Sequence, residues 1–525
     1  MKLPLSPRSA APLAALTLGL TLCLTLLSPL PADDGVDGTD GVDGTATPSG
    51  SSTPVAGPED PIGLDGARHL LGRTGFGAPL AQLREFSRLD RRAAVERVLA
   101  TLQTEPLLPP PEFLELPLEE RTLAAGASRE ERQRIQRLRR RHGQELAAWW
   151  VAEMALTDSP FTEVLTLFWH DHFVSELRKV RAPELMWRQN LLLRQHAGGN
   201  FRELLREIST DPAMVIYLDT QQNRKGRPNE NYARELFELF TLGEGHYTES
   251  DVKEAARALT GWRVNRASGS PGTNFVPRFH DDGEKRIFGV TAEHDLDSLL
   301  ALVLARPRVA TFITEALWRA FVSPALEAET VAALAGGFRE SGYELRPLLR
   351  GLLLSDAFWR ETNRGALFRS PVDLVIGTVR LLESRDFPPA SLHRTISGMG
   401  QALLSPPNVK GWPGGERWIT SDSLLQRRQF LDRALLGRFI EATRGQTMDG
   451  GMRGGGMRGG RMRPGQGAMD SLRAEWTALG GSNPERDAAL TQCLCPLPAV
   501  FERVPGELPA QTLQRLLLDP TFQLK

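Results

Sequence analysis

Two imidazoles and a carboxylate stand within three residues at Trp169-His170-Asp171-His172, and these are the side chains from which metal and proton-transfer sites are built. On a regular helix, residues two apart point about 200° away from each other, so His170 and His172 cannot chelate one ion together. A site here would use one of them with groups from distant segments. The plainer reading makes His172 a hydrogen-bonded core histidine and His170 a surface or interhelix one. Glu235 and Glu238 are three apart, share a helical face, and are the distant carboxylates that could join them; an Arg234–Glu238 ion pair is their plainer role.

Two more groups are dense in titratable residues: His246, Asp251 and Glu254, then His280, Asp281 and Asp282. Asp251 is expected to cap a helix and Asp282 to shape a turn, which leaves His246, His280 and Asp281 surplus to local structure. The candidate catalytic residues are therefore His170, His172, Glu235 and Asp281. A divalent metal, if one is bound, would take His170, His246 and His280. Trp262, Trp412 and Trp418 border Gly-rich or polar loops, where they would either stack on a sugar or peptide ligand or plug the core. The chain lacks Glu-x-x-His, His-Glu-x-x-His, Gly-x-Ser-x-Gly and a Walker loop, which removes the di-iron bundle, zinc-protease, serine-hydrolase and nucleotide-binding readings.

The elements that must position these groups read as helices. From Pro61 onward, apolar residues recur at three- and four-residue spacing with little alternation. Asp158-Ser159-Pro160-Phe161 is a capped helix start with proline in the first turn, and it aligns Phe161, Leu165, Phe168 and His172. A second helix is expected from Asn229 to Leu242, stopped by Gly243, with Tyr232, Leu236, Leu239 and Phe240 inward. A third starts at Thr248 with a capping box to Asp251, turns Val252, Ala255, Ala256 and Leu259 inward, and ends at Gly261. The stretch Phe279 to Lys285 is expected to be a tight Asp-Gly turn between short extended pieces. Pro406 to Gly415 is expected to be a rigid loop feeding a helix near Ser421, and a last helix covers Pro509 to Leu518. The expected fold is mainly α: one large multi-helix domain with short β-hairpin-like and Gly/Trp-rich loop insertions.

Composition sets the boundaries. A chain of 525 residues with 41% hydrophobic and 24% charged content is ordinary for a folded protein. Lys2 and Arg8 precede an apolar run, Leu13 to Leu27, closed by Pro29 and Pro31, so residues 1–32 read as a signal peptide for the general secretory route to the periplasm or exterior. The run is too short for a comfortable membrane span, Leu22 before Cys23 argues against lipoprotein processing, and Arg8 has no twin. Residues 33–60 read as an Asp/Gly/Ser/Pro tether, 61–442 as the main helical domain and 443–470 as a low-complexity Met-Arg-Gly insertion. Residues 471–525 are expected to be a helical segment packed on the main domain. Without Lys2 and Arg8, the 63 Lys+Arg become 61 against 64 Asp+Glu, a net charge of −3. That balance gives no pull toward nucleic acid, and the basic run Arg137 with Arg139 to Arg141 shares its helix with Glu130, Glu131 and Glu145. Cys493 and Cys495 read as a structural staple or two free thiols.

Several strings resemble, in order, a bacterial family known as domain of unknown function eighteen hundred. They are His69-Leu70-Leu71-Gly72-Arg73-Thr74-Gly75-Phe76-Gly77, Phe168 to Phe173, Asn200 to Leu205, Asp211-Pro212-Ala213-Met214, Asn229 to Leu236, Tyr247 to Trp262, His280-Asp281 and Asn408-Val409-Lys410-Gly411-Trp412-Pro413-Gly414-Gly415. The resemblance implies export and a gene neighbour resembling sulfatases; it carries over no catalytic residue. Two functions follow as expectations. One is a metal-dependent or acid–base hydrolase-like enzyme of the cell envelope. The other is a non-catalytic envelope protein that binds an exported sulfatase-like partner or a polysaccharide.

Overall fold

In a computed structural model, the structure describes residues 57–116, 126–265, 272–384, 387–435, 483–504, 506–507 and 509–525. The residues read as a signal peptide, nearly all of those read as a tether and the Met-Arg-Gly stretch lie outside the described residues. Among the described residues, twenty-one α-helices against two small antiparallel hairpins make the fold mainly α. Among the described residues no helix is long and apolar enough to cross a membrane.

The helices used below are α1 (Gly63–Thr74), α2 (Arg129–Leu156), α3 (Pro160–His172), α4 (Pro183–Gln195), α5 (Phe201–Thr210), α6 (Pro212–Tyr217), α7 (Asn231–Glu235), α8 (Glu249–Ala258), α9 (Pro371–Leu381), α10 (Ser421–Leu435), α11 (Asn483–Leu494) and α12 (Pro509–Leu518). Helix α3 begins at its proline as its sequence predicts, but Ser159 does not cap it. The Ser159 hydroxyl is within hydrogen-bond reach of Thr101 O and Thr162 Oγ1, a tertiary use that wins over the local one. Phe161 and Leu165 are fully buried, and α3 carries Trp169 and leads into Phe173 at the centre of an aromatic core. Phe173 stacks near Trp169 at 5.9 Å and Phe201 at 6.3 Å between ring centroids, with Phe240 edge-on at 5.2 Å. Truncating any of these to alanine would cost about 3–5 kcal/mol through lost burial and the cavity left behind.

Beneath that core, α2, α3 and α4 are locked by a buried ion pair. Arg194 Nε and Nη2 donate to the two Glu163 oxygens at 2.8 and 2.9 Å, Trp150 Nε1 donates to Glu163 at 2.9 Å, and Arg194 Nη1 donates to Asn190 at 2.7 Å. With both ends satisfied, burial of the two charges is tolerated.

The helix expected from Asn229 to Leu242 is not regular. It starts as α7 at Asn231 and passes at Leu236 into a π-helix, Leu236–Thr241. Leu242 N reaches back five residues to Phe237 O, and the Thr241 hydroxyl bonds Leu236 O, so wide turns replace the i to i−4 ladder. Such π turns are rare and recur at functional sites. Helix α8 behaves as its sequence predicts: the Thr248 side chain accepts from Asp251 N, and Asp251 accepts from Thr248 N.

The Asp-Gly turn closes no hairpin. Strands β1 (Trp262–Asn265) and β2 (Gly272–Phe275) pair with each other, and β3 (Lys285–Ile287) pairs with β4 (Val290–Ala292). The second turn sits at Phe288-Gly289, which supply the two positive φ angles, 50° and 82°, that a two-residue hairpin needs. Asp281 is held instead by Arg257 on α8, so its segment is anchored to a helix.

The C-terminal segment closes on the main body. Leu367 and Lys525 exchange backbone hydrogen bonds, Lys525 Nζ donates to Asp373 on α9 at 2.8 Å, and Arg68 on α1 donates to Gln492 O at 2.9 Å. Cys493 and Cys495 are free and buried.

Candidate functional site

Three of the strings that share the resemblance meet in space. The C-terminal turn of α3 presents Asp171, whose Oδ1 accepts from Trp412 N at 2.8 Å. The loop approaches so closely because residue 411 is glycine. Its φ is +82°, and a Cβ there would lie 2.9 Å from both the carboxyl carbon and the main-chain oxygen of Asp171. Burial pushes the Asp171 carboxyl up to about 6, and the hydrogen bond from Trp412 works against the shift.

The same loop brings Lys410 over the π-helix. Its ammonium lies 3.8 Å from Glu238, which also accepts from the Tyr247 hydroxyl at 3.0 Å. Glu235, one turn earlier and half-buried, has its carboxyl raised by burial first and then by the charge on Glu238, while Lys410 and Arg234 pull it back. Burial chiefly, with the Glu238 hydrogen bond and charge, holds the Tyr247 phenol up at about 12. The Tyr217 phenol, at the end of α6, is raised to about 12 by burial and by the charges of Glu176 and Glu235. Two neighbouring carboxylates in unequal settings, one half-buried and raised by burial and one facing a cation and a phenol, are the materials of acid–base chemistry. The Arg234–Glu238 pair expected from helical spacing does not form, because Arg234 forks onto Glu249 at 2.7 and 2.8 Å and reaches Glu230 at 3.2 Å.

The histidines of the motif serve the core. His172 Nε2 donates to Phe240 O in the π-helix at 3.0 Å, and burial lowers the ring to about 4, so it is a neutral hydrogen-bonded core histidine. His170 is buried rather than at the surface, between Trp150 at 5.5 Å and Trp412 at 5.8 Å between ring centroids, and burial lowers it too to about 4.

The remaining expected residues lie elsewhere. His246 is exposed in the turn before α8. His280 Nδ1 is 3.0 Å from Thr260 O, and its ring packs on Phe275 at 5.2 Å. Asp281 is a bidentate partner of Arg257 at 2.9 and 3.1 Å, an ion pair that holds its carboxyl below the usual range. The expected ligand set His170, His246 and His280 is thus dispersed over a core, an exposed turn and the segment between β2 and β3, and among the described residues no three His, Cys, Asp or Glu side chains gather to hold a metal ion. These three histidines do not come together to hold a divalent ion. Trp412 and Trp418 are buried loop plugs at 7% and 6% exposure, whereas Trp262 is partly open and pairs with exposed Phe275 across the hairpin at 5.4 Å.

The sequence pointed to Glu235 and Glu238, and to Asp171 only as the carboxylate between His170 and His172; it placed Lys410, Tyr247 and Tyr217 in no site. The available signal was a lone lysine inside a glycine- and proline-bounded loop, where a rigid backbone fixes a flexible cation.

Fold and site together define a large helical protein with a carboxylate–lysine cluster at a π-helix. The chain belongs to the family described as protein of unknown function (DUF1800), whose model matches residues 69–524. No curated protein and no solved structure matches it.

Proposed function

We propose that this protein is an acid–base hydrolase of the cell envelope, reached by the general secretory route, with Glu235 as general acid and Glu238 as general base. The observation that carries the reading is the unequal pair itself: burial and the Glu238 charge raise the Glu235 carboxyl above its ordinary value, while Lys410 and Tyr247 face Glu238. In the proposed step Glu238 takes a proton from the attacking water as the bond to the leaving oxygen breaks, and Glu235 gives its proton to that oxygen. Lys410 steadies the negative charge that passes between them. The apolar run Leu13 to Leu27, closed by Pro29, supports export.

The test is release of new reducing ends from purified peptidoglycan and from acidic exopolysaccharide by the signal-cleaved protein. Glu235→Gln keeps the shape and removes the proton, so activity should fall at least 100-fold, the low end of what general acid catalysis supplies, roughly 10²–10⁴. Activity of the unaltered protein should also decline as pH rises and Glu235 ionises. No release from either polymer, or equal release by Glu235→Gln, would remove the reading. A second reading, a non-catalytic protein that binds an envelope polysaccharide, is favoured by the open Trp262–Phe275 face; retention on those polymers without hydrolysis would select it.

A further inference from the structure

The turn Arg224-Lys225-Gly226-Arg227, between α6 and α7, sets two guanidinium groups side by side. Arg227 N donates to Arg224 O at 2.9 Å and Arg224 N to Arg227 O at 3.4 Å, an antiparallel bridge closed over Gly226 at φ +76°. Residues paired in this way project to one face, about 5–6 Å apart, where like charges repel. The turn is anchored on both sides: Asn223 donates to Ala256 O on α8 at 2.8 Å and accepts from Asn229 N at 2.9 Å, and Lys225 N donates to Phe279 O at 2.8 Å. That last bond brings in Arg278, whose guanidinium lies 4.9 Å from the Phe279 ring centroid, with Arg263 over the same ring at 4.6 Å.

Arg224, Arg227 and Arg278 are exposed, and among the described residues their side-chain N–H groups have no acceptor. Stacking on Phe279 takes the face of the Arg278 guanidinium and leaves its in-plane donors open. Arg263 is held by main-chain oxygens of Asn223 and Trp262 at 3.1 and 3.0 Å; burial first, and then the charge of Arg224, lowers it. The neighbouring carboxylates are committed: Asp219 to Lys179, Glu230 to Arg234, Asp281 to Arg257 and Asp282 to Lys225. Among the described residues of 219–230 and 260–285, Glu284 is then the single carboxylate without a cation, against four guanidinium groups without a carboxylate.

We propose that Arg224, Arg227 and Arg278 form a docking site for an acidic polysaccharide, a glycan that carries carboxylate or sulfate groups along its chain. One such group between Arg224 and Arg227 takes a fork of N–H donors from each and turns their repulsion into shared attraction, and Arg278 takes the next. A membrane would need apolar side chains at the same rim, but Gly226, Pro228 and Pro277 flank these arginines. A nucleic acid would need an open aromatic face, and that of Phe279 is covered by guanidinium groups. Arg263 leaves β1 on the face opposite Trp262, so this site is separate from the open Trp262–Phe275 pair. Only Pro228, Asn229 and Glu230 lie between Arg227 and the start of α7, whose last residue is Glu235. A chain docked on the turn is thereby held at the entry to the helix of the proposed general acid.

That the docked glycan is a substrate rests on the proposed hydrolase; the docking itself does not, and its test is independent of catalysis. Isothermal titration of the full, signal-cleaved chain with polygalacturonate and with dextran sulfate should show binding that weakens as salt is added, and neutral dextran should show none. The polymer bound more tightly tells whether carboxylate or sulfate is the group recognised. Arg224→Gln combined with Arg227→Gln should weaken that binding at least roughly tenfold. Arg92→Gln combined with Arg346→Gln removes the same charge from exposed arginines of other helices and should bind as the unaltered protein does. Relief of the repulsion should leave the melting temperature of Arg227→Gln unchanged or higher; a fall would make the arginine structural and count against the proposal. No binding of either polyanion, equal weakening in the charge-matched control, or tighter binding of single-stranded DNA or phosphatidylglycerol vesicles than of both glycans overturns it. Docking without hydrolysis would sink the hydrolase and leave the site standing; hydrolysis of these glycans untouched by the paired substitution would do the reverse.

Discussion

Replacing Gly411 with alanine tests the contact on which the whole cluster depends. The residue sits at φ +82°, a left-handed conformation that costs an L side chain roughly 1–2 kcal/mol. The added methyl would meet the Asp171 main-chain oxygen and carboxyl carbon at 2.9 Å, inside ordinary contact, and its Oδ1 closer still. The loop must then lift, and the hydrogen bond from Trp412 N to the Asp171 carboxylate is lost, about 1.5–3 kcal/mol for a charged acceptor. Together these give a destabilisation of about 3–5 kcal/mol, a large part of the roughly 5–15 kcal/mol available to a folded protein. Urea unfolding followed by tryptophan fluorescence measures it, with Trp412 itself in the affected loop. A cycle with Asp171→Ala isolates the cause, because removing the carboxyl removes the closest clash and the hydrogen bond at once. The double variant should be less destabilised than the sum of the single ones by about 1–3 kcal/mol. A Gly411→Ala cost below about 1 kcal/mol, or strictly additive singles, would refute the close-approach argument.

Stability against pH carries a second test. Burial holds His170 and His172 near 4 against an ordinary 6.5, so the unfolded chain binds more protons between those values and stability rises with pH there. Burial raises Asp171 and Asp211 to about 6, so the native state holds their protons and their contribution falls as pH rises through the same window. Asp171→Asn removes one opposing member and should steepen the rise between pH 4 and 6 by up to about 3 kcal/mol, two pKa units at about 1.4 each; an unchanged slope in urea titrations at stepped pH would contradict it. Arg194→Met should cost about 3–5 kcal/mol by stranding the Glu163 carboxylate, and Glu163→Gln added to it should restore part of the loss; no recovery by calorimetry would mean the pair is not coupled. Cys493 and Cys495 are buried, and burial raises the Cys493 thiol to about 12, so a thiol reagent should label neither until the chain unfolds. Labelling of the native protein at a free-thiol rate would disprove the packing around α11.

The sequence alone determined the elements. Three- and four-residue apolar spacing made the chain helical, Pro160 started α3, the Thr248–Asp251 box started α8, and α10 and α12 begin where Ser421 and Pro509 put them, because caps and prolines act within one turn. It also placed Glu235 and Glu238 on one short stretch. The tertiary structure decided what those groups face. Local rules could not say that Arg234 would reach Glu249 and leave Glu238 to Lys410, which is 172 residues away in the chain, or that His172 would spend its proton on Phe240 O. Nor could they foresee the π turn, whose wide register satisfies Leu236 O through the Thr241 hydroxyl. Charge, burial and hydrogen-bond partners are properties of whatever packs against a residue, and in this fold those neighbours come from segments far apart in the chain.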